Sequence, residues 1–221
     1  MILYHGSKNG IKGAINPHMS RDNCDFGRGF YTGELPTQPM GLIAGWQNHV
    51  FYELDCNPDG LKIKEFGDDY DESIDWAMYI GYNRNKSLYE KYPLFCEKYE
   101  SYNADYDLII GPIANDKMFQ LLERFFMGDL CDKALIAGLT QIKLGNQYVF
   151  KTERSCDRDH LNILSERRLN DKEIAIARAD NMNRAAQSDG ILSQLQTRFR
   201  RAADIRYYDE IMEAWNEADT H

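Results

Sequence analysis

The sequence predicts an α+β fold in which two packed β-sheets are flanked by peripheral helices and followed by a C-terminal helical tail. Two observations support the sheets. Short segments of strand character are spread along residues 1–165, and they do not alternate with helices in a βαβ repeat. A third observation supports the tail, because apolar residues recur at helical spacing after residue 166.

A β-hairpin is predicted over residues 49–66. His49 to Asp55 alternates apolar and polar residues, as a half-buried strand does, and Leu61 to Phe66 alternates again. Between the two segments, Asn57-Pro58-Asp59-Gly60 has the composition of a tight turn.

The remaining elements are predicted from apolar periodicity and from flanking turn residues. Asp107 to Pro112 is a short apolar run ended by Gly-Pro, which is typical of a central strand. Asn115 or Asp116 is suited to cap the helix that follows. The other predicted elements are helices over 36–47, 71–84 and 131–139 and strands over 1–5, 147–151 and 161–164.

The chain is predicted to divide into a domain over residues 1–165 and a helical C-terminal extension over residues 166–221. Asp189-Gly190 is a plausible break between helices of the extension. Two helical patterns follow it, formed by Leu192, Leu195, Phe199 and Ala202 and then by Tyr208, Ile211, Met212 and Trp215. We expect burial of four of these side chains, against the core or against a protein partner: Leu195, Phe199, Ile211 and Trp215.

Composition excludes several classes of protein. A chain of 221 residues with 43% hydrophobic residues is long enough for a sizeable core and is not disordered. The sequence has no apolar run long enough for a membrane span and no signal peptide at its start. Five scattered cysteines without a CxxC pair predict neither a metal site nor a disulfide framework, so we expect a cytoplasmic protein with reduced thiols. A net charge of −9 argues against general nucleic-acid binding.

Three segments carry groups suited to binding a polar ligand with a planar ring. His5 offers a ring nitrogen to a hydroxyl, and Gly6 lets the backbone approach a carboxamide. The glycine-flanked loop from Asp25 to Thr32 presents Phe30 and Tyr31, either of which can stack on a planar ring. The segment Asn146 to Phe150 brings a polar side chain from a distant strand.

This order of features resembles the ADP-ribosyltransferase fold, and within it the diphtheria-toxin and poly-ADP-ribose-polymerase branch, whose triad is His, Tyr and Glu. More narrowly, four segments look like a bacterial family of unknown function placed in that superfamily: Leu3 to Ser7, Asp25 to Thr32, Tyr106 to Pro112 and Gln147 to Thr152. The resemblance spans roughly residues 1–165 and leaves the C-terminal extension unexplained.

The resemblance implies a triad of His5, Tyr31 and Gln147. His5 matches the histidine that contacts a ribose hydroxyl of NAD, and Tyr31 matches the tyrosine that stacks on nicotinamide. Gln147 stands where the family has its glutamate, so the hydrogen-bonding shape is kept while the negative charge is lost. The glutamate normally stabilises an oxocarbenium-like state, and its absence places catalysis in question.

The resemblance further implies NAD as the substrate, without a metal, and contacts to it from Gly6, Ser7, Arg28 and Phe30. The implied activity is mono-ADP-ribosyl transfer from NAD to an unknown macromolecule, which would meet the loop over residues 139–146. Two alternatives remain open, a catalytically silent module that binds NAD or another protein, and an NAD glycohydrolase.

Each candidate residue also has a purely structural interpretation. His5 and Tyr31 could be core residues, and Gln147 could be an ordinary strand-edge residue. Asp25 and Arg28 are suited to contact phosphate or target, but a solvated loop is the simpler expectation for both. The other four histidines show no metal-ligand spacing.

Overall fold

The computed structural model describes residues 1–85, 88–113, 116–140, 145–186, 194–195, 197–199 and 202–217. Seven β-strands lie in these ranges: β1 (Ile2–Ser7), β2 (Phe30–Gly33), β3 (Val50–Cys56), β4 (Ile63–Glu65), β5 (Leu108–Pro112), β6 (Asn146–Phe150) and β7 (Leu161–Arg167). All seven belong to one hydrogen-bonded sheet in the order β4-β5-β6-β2-β1-β3-β7. The α+β class that the sequence predicts is therefore confirmed.

Eight α-helices have their bounds in the same ranges, and residues 194–195 and 197–199 are helical as well. The eight are α1 (Thr37–Ile43), α2 (Tyr70–Arg84), α3 (Leu88–Lys91), α4 (Pro93–Asp105), α5 (Asp116–Phe126), α6 (Asp132–Thr140), α7 (Asp171–Ala186) and α8 (Tyr208–Glu217). Side-chain caps start two of them. Asp69 accepts a hydrogen bond from Glu72 N at the start of α2, and Asn170 and Glu173 cap each other's backbone N–H groups at the start of α7. None of the described helices combines the length and apolar character needed to cross a bilayer.

The predicted hairpin over residues 49–66 is wrong. Both strands exist, but β3 lies between β1 and β7, while β4 lies at the opposite edge and pairs in parallel with β5. Asp107 holds β4 there, because its carboxylate accepts from Lys62 N at 3.0 Å and its own N–H donates to Lys62 O at 2.8 Å. Alternation of apolar residues predicts a strand, whereas such long-range contacts decide its partner.

Helices and loops cover the two faces of the sheet. The largest core cluster joins α2, α4, α5, α6 and α8 to one face of the sheet through Ile109 and Val149. A second cluster lies on the other face of the central strands and includes Leu3, Phe30 and Phe150. A third, smaller cluster packs α1 and α7 against Phe51 of β3. The site described below lies where these clusters approach one another, around β1, β2 and β6.

The C-terminal segment packs on the core. Leu195 and Ile211 are buried as the sequence predicts, and Phe199 and Trp215 are half-buried against the largest cluster. The predicted domain boundary after residue 165 falls within β7, and the division into two domains stays a prediction. Leu192 and the break predicted at Asp189-Gly190 lie outside the described residues.

A fully buried carboxylate fastens this segment to α6. Asp132 accepts hydrogen bonds from the Tyr70 hydroxyl, from Lys133 N at 2.7 Å and from Arg206 N at 3.0 Å. Its own N–H donates to Arg206 O at 2.9 Å. The three hydrogen bonds to the carboxylate, together with the Arg206 guanidinium 3.4 Å away, satisfy the buried charge. The contacts to Tyr70 and Arg206 join residues that are distant in the chain.

Candidate functional site

The sheet is weakly joined between β1 and β2. Within residues 1–85, all of which the structure describes, these strands share a single ladder pair, Tyr4 opposite Gly33. Gly33 in turn lies opposite Gln147 of β6. The register therefore places Tyr4, Gly33 and Gln147 in one row across three strands, with His5 one residue farther along β1. Beyond this row β1 remains paired with β3, but its edge towards β2 forms no further ladder pair.

The His5 side chain takes a position that strand pairing would otherwise fill. Its Nδ1 lies 2.7 Å from the backbone oxygen of Tyr31. The imidazole therefore donates to a β2 carbonyl that would otherwise be available to the β1 backbone. The ring packs against Phe30 at a centroid distance of 4.3 Å and is half-buried. His5 therefore bridges the two strands with its side chain and keeps their backbones apart.

The contact to Tyr31 O also determines which nitrogen of His5 faces a ligand. Burial lowers the pKa of His5, and the backbone hydrogen bond to Tyr31 opposes this effect only in part, so the ring is neutral near pH 7. A neutral imidazole that donates from Nδ1 carries a lone pair on Nε2. His5 is therefore suited to accept a hydrogen bond from a hydroxyl group.

Tyr31 is anchored at both ends of its side chain. Its hydroxyl donates to Gly27 O at 2.7 Å and accepts from Phe26 N at 2.9 Å. Burial holds the pKa of this hydroxyl well above its ordinary range, which keeps it a donor. Gly27 has a φ of 67°, a conformation that favours glycine. The loop and the Tyr31 ring thus form one rigid unit beside β6.

Gln147 is a buried residue and not an exposed strand edge. Its side chain is 7% exposed, and its Nε2 donates to Pro112 O at 3.2 Å. The amide also lies near Asp25, and it lowers the pKa of that carboxyl. Tyr31 lies opposite Val149, two residues from Gln147 on the same face of the sheet, so the two side chains are diagonal neighbours.

The expectation of a solvated loop is wrong for Asp25. Its side chain is 14% exposed, and Oδ1 accepts from Arg84 Nε at 2.7 Å. Its backbone oxygen accepts from Asn83 Nδ2 at 3.2 Å. Burial raises the pKa of the carboxyl, while Arg84 and Gln147 lower it. The sequence carries no signal for this pair, because Arg84 is 59 residues away on α2.

The residues proposed to contact NAD occupy different environments. A Cβ on Gly6 would lie 2.8 Å from both Pro39 O and Ile43 Cγ2, so α1 covers one side of this residue. Phe30 is buried against His5, and Ser7 is half-buried in the ladder with β3. Arg28 is exposed and pairs with Asp22, as a solvated loop residue does.

The predicted target loop over residues 139–146 is described only at its ends, because residues 141–144 lie outside the described ranges. At its C-terminal end, Asn146 N donates to Glu34 Oε1 at 2.8 Å, which ties the start of β6 to the end of β2. In the part of the chain that the structure describes, no group of three His, Cys, Asp or Glu side chains is arranged to hold a metal ion.

Comparison with known proteins gives one family. The family model described as "Protein of unknown function (DUF3990)" matches residues 1–161. The chain belongs to this family. The match includes every residue of the candidate site and ends at the first residue of β7. Neither the curated proteins nor the solved structures contain a match. Membership of a family of unknown function is thereby confirmed, and the likeness of this DUF3990 chain to ADP-ribosyltransferases stays a prediction.

Replacing Tyr31 tests whether its ring stacks on a bound ligand. We expect Tyr31→Ala to weaken NAD affinity several-fold, because an aromatic contact contributes about 0.5–1.5 kcal/mol beyond the area it buries. Tyr31→Phe is the matched control, since it keeps the ring and removes only the hydroxyl bonded to Phe26 and Gly27. Calorimetric titration of both folded variants measures the difference. Equal affinities for the two variants would contradict a stacking role.

Proposed function

We propose that the protein transfers a single ADP-ribosyl group from NAD to a macromolecule. The observation that carries the proposal is the placement of His5, Tyr31 and Gln147 on three adjacent strands, with His5 Nδ1 bonded to Tyr31 O beside a strand junction that has one ladder pair. In this proposal His5 and Tyr31 hold the nicotinamide ribosyl end of NAD, and Gln147 orients the ribose.

The junction offers a place for the nicotinamide group. The edge of β1 beyond Tyr4 faces β2 without ladder pairing, so its backbone groups are available to a carboxamide. Gly6 lies on this edge, next to His5. The Tyr31 ring stands at the neighbouring strand, half-buried against the largest core cluster, and its hydroxyl is bound by the loop. In the proposal, the part of the ring that this cluster leaves exposed stacks on nicotinamide.

The reaction breaks the bond between the ribose C1′ and the nicotinamide nitrogen. The bonding electrons leave with nicotinamide, the ribose gains oxocarbenium character, and an acceptor nucleophile forms a new bond to C1′ while releasing its proton. His5 Nε2 accepts from a ribose hydroxyl and fixes the sugar. The carbonyl oxygen of the Gln147 amide directs its partial negative charge towards the developing positive charge.

The proposal also includes the fold. The β1–β2 junction divides the sheet into two half-sheets, β4-β5-β6-β2 and β1-β3-β7, which pack against each other. One core cluster contains Leu3 of β1 and Leu54 of β3 together with Leu108 and Phe150 from the other side of the junction. Strands separated by one ladder pair can diverge, and a shared apolar cluster then packs the two halves against each other. The shared cluster supports an ADP-ribosyltransferase-like arrangement of two packed half-sheets. In this arrangement the single β1–β2 ladder pair keeps the hydrogen bonding continuous from one half to the other.

A second candidate function is an NAD-binding module without catalysis. It is favoured by one observation, the amide of Gln147 at the position where the resemblance places a carboxylate. The geometry needed to bind NAD is the same in both cases. Hydrolysis of NAD without an acceptor is the third alternative, and it differs from transfer only in using water as the nucleophile.

Incubation with labelled NAD separates the three functions. The purified protein and its His5→Ala variant are incubated with NAD labelled in the adenylate part, with and without cell lysate. Labelled macromolecule formed by the wild-type protein supports transfer, and free ADP-ribose without lysate supports hydrolysis. NAD binding without turnover supports the silent module. If the wild-type protein neither binds nor consumes NAD, the proposed function is wrong.

A further inference from the structure

We propose that Lys151 is a positioning residue of the site, which fixes the Tyr31 ring by holding the loop over residues 25–29 on β6. The inference rests on the proposed function and deepens it, because it names the residue that holds the ring proposed to stack on nicotinamide. A buried cation outside the triad carries it. The Lys151 side chain is 9% exposed, and its ammonium group donates to the backbone oxygen of Phe26.

Phe26 links Lys151 to the Tyr31 side chain through both of its backbone groups. Its oxygen accepts from Lys151 Nζ, and its N–H donates to the Tyr31 hydroxyl at 2.9 Å. The same hydroxyl donates to Gly27 O at 2.7 Å. Because the Tyr31 hydroxyl has both a donor and an acceptor in this loop, its ring follows any movement of the loop backbone.

Lys151 reaches the loop on the face of the sheet that carries Tyr31. It directly follows β6, and its N–H donates to Asp107 O at 2.8 Å, which keeps it beside β5. It is two residues from Val149, the residue opposite Tyr31, so the side chains lie on one face. Phe26 and Val149 belong to the same core cluster on that face. The lysine therefore joins β6 to the loop that holds Tyr31.

A second contact fixes the loop on β6 beside Lys151. A Cβ on Gly29 would overlap Val149 Cγ1 and would lie 2.9 Å from Phe150 O. It would also lie 3.5 Å from Lys151 Cδ. Gly29 therefore lies directly on the strand, because it has no side chain. The close contact at Gly29 and the hydrogen bond to Phe26 together set the position of the loop along β6.

Loss of the ammonium group is expected to move the ring and to leave the fold intact. Phe26 O also accepts from the Tyr79 hydroxyl at 3.3 Å, so it keeps one donor without Lys151. That donor lies on α2 and not on β6. The loop then follows the helix, and the ring loses its alignment with the strands that carry His5 and Gln147. Because stacking depends on the offset between two rings, we expect weaker NAD binding rather than a slower chemical step.

Replacing Lys151 by methionine tests the inference. Lys151→Met keeps the length of the stem, and we expect NAD affinity to fall about fivefold, with kcat for nicotinamide release within about twofold of the wild-type value. Lys151→Gln has a side chain one bond shorter that falls short of Phe26 O, and it is expected to behave in the same way. The matched control is Lys133→Met, because Lys133 Nζ likewise donates to a backbone oxygen, that of Ala203 at 2.7 Å. The control is expected to bind NAD as the wild-type protein does.

Combination with Tyr31→Ala separates positioning from structural support. If Lys151 acts through the Tyr31 ring, Lys151→Met has nothing to displace once the ring is gone. The double variant should then bind NAD within about twofold of Tyr31→Ala alone. A general defect of the site would instead lower the affinity by the same factor in both backgrounds. Calorimetric titration measures the four affinities, and circular dichroism with thermal unfolding checks that each variant is folded.

The outcomes separate this inference from the proposed function. Wild-type NAD affinity in folded Lys151→Met and Lys151→Gln overturns the inference and leaves the proposed function standing. An equal loss of affinity with and without the Tyr31 ring also overturns it, and so does failure of both variants to fold, because Lys151 then supports the structure as a whole. Since the affinity needs no turnover, the inference is tested even in a silent binding module. A wild-type protein that neither binds NAD nor releases nicotinamide overturns the proposed function, and the inference with it.

Discussion

A protein truncated after residue 166 is expected not to fold stably. The deleted segment carries side chains that are fully or nearly fully buried in the cores of the remaining part: Leu169, Ala177, Leu195, Tyr208, Ile211 and Met212. Each large apolar side chain contributes about 1.5–3 kcal/mol when fully buried. The net stability of a domain is about 5–15 kcal/mol. The loss of Leu169, Leu195, Ile211 and Met212 is therefore comparable with the whole free energy of unfolding.

The truncation also exposes the surfaces that these side chains cover. Tyr208 packs its ring edge-on against Phe125 and Phe126, and Trp215 lies over the end of Lys98. Removal of the segment leaves Asp132 without two backbone contacts from Arg206. We expect lower solubility and no cooperative thermal transition. A truncated protein with the melting temperature of the full chain would show that the segment is an independent appendage.

A matched pair of point variants measures the same effect without deleting the segment. Met212→Ala removes a side chain that is 0% exposed, and it is expected to lower the free energy of unfolding by about 2–5 kcal/mol. Met127→Ala makes the identical change at a side chain that is 70% exposed, where we expect a change within about 0.5 kcal/mol. Urea denaturation measures both. Equal effects at the two positions would contradict the packing of α8 on the core.

Replacing Gln147 is expected to have the largest effect on activity. Gln147→Ala removes the amide oxygen proposed to face the ribose, and nicotinamide release should fall about 100- to 1,000-fold, since one well-placed electrostatic group is typically worth about 2.7–4 kcal/mol. Gln147→Glu places a full negative charge at the same position. It should raise the release rate, by less than that figure because the surroundings of position 147, including Pro112 O, accept an amide N–H and do not suit a carboxylate.

The neighbouring Asp25 also gives Gln147→Glu a pH dependence. Two adjacent carboxylates cannot both ionise easily, so one of the pair has its pKa raised. The site then loses its added charge at low pH and gains it as the pH rises. We expect the rate of Gln147→Glu relative to the wild-type protein to increase with pH above about 5. Measurement of nicotinamide release across this range, together with NAD affinity, tests the prediction.

Two results would contradict the assignment of Gln147 as a catalytic residue. Equal release rates for the wild-type protein, Gln147→Ala and Gln147→Glu, with NAD bound normally, would mean that Gln147 is not part of the site. Turnover absent from all three, again with NAD bound, would favour the silent binding module. Gln38→Ala in α1 is unsuitable as a control, because Gln38 packs on Gly33 in the same row. The control is Asp129→Asn, in the exposed Arg124–Asp129 pair, which is expected to release nicotinamide at the wild-type rate.

The local elements were largely predictable from the sequence. The helix predicted over 71–84 is α2, the strand over 107–112 is β5, and the strand over 147–151 is β6 shifted by one residue. Periodicity and turn residues act over a few positions, so they are visible in one sequence. The helix predicted over 36–47 is shorter than expected, ending at Ile43.

Strand pairing and the charged part of the site were not predictable in the same way. The hairpin prediction failed because β4 is held at the far edge by Asp107, more than 40 residues away. Asp25 was assigned to solvent because nothing near it in the sequence indicates Arg84. Both errors concern partners brought together by folding.

Local sequence features were enough to select the first candidate residues of the site and to identify the strands that carry them. His5 and Tyr31 stand at recognisable positions, because a histidine-glycine pair at a strand end and a glycine-flanked aromatic loop are local features. Folding was needed to bring the His5 ring to the Tyr31 carbonyl and the Gln147 amide to Pro112 O. Hydrogen bonds and charges act between groups that are close in space, and the chain brings these groups together only when the sheet forms.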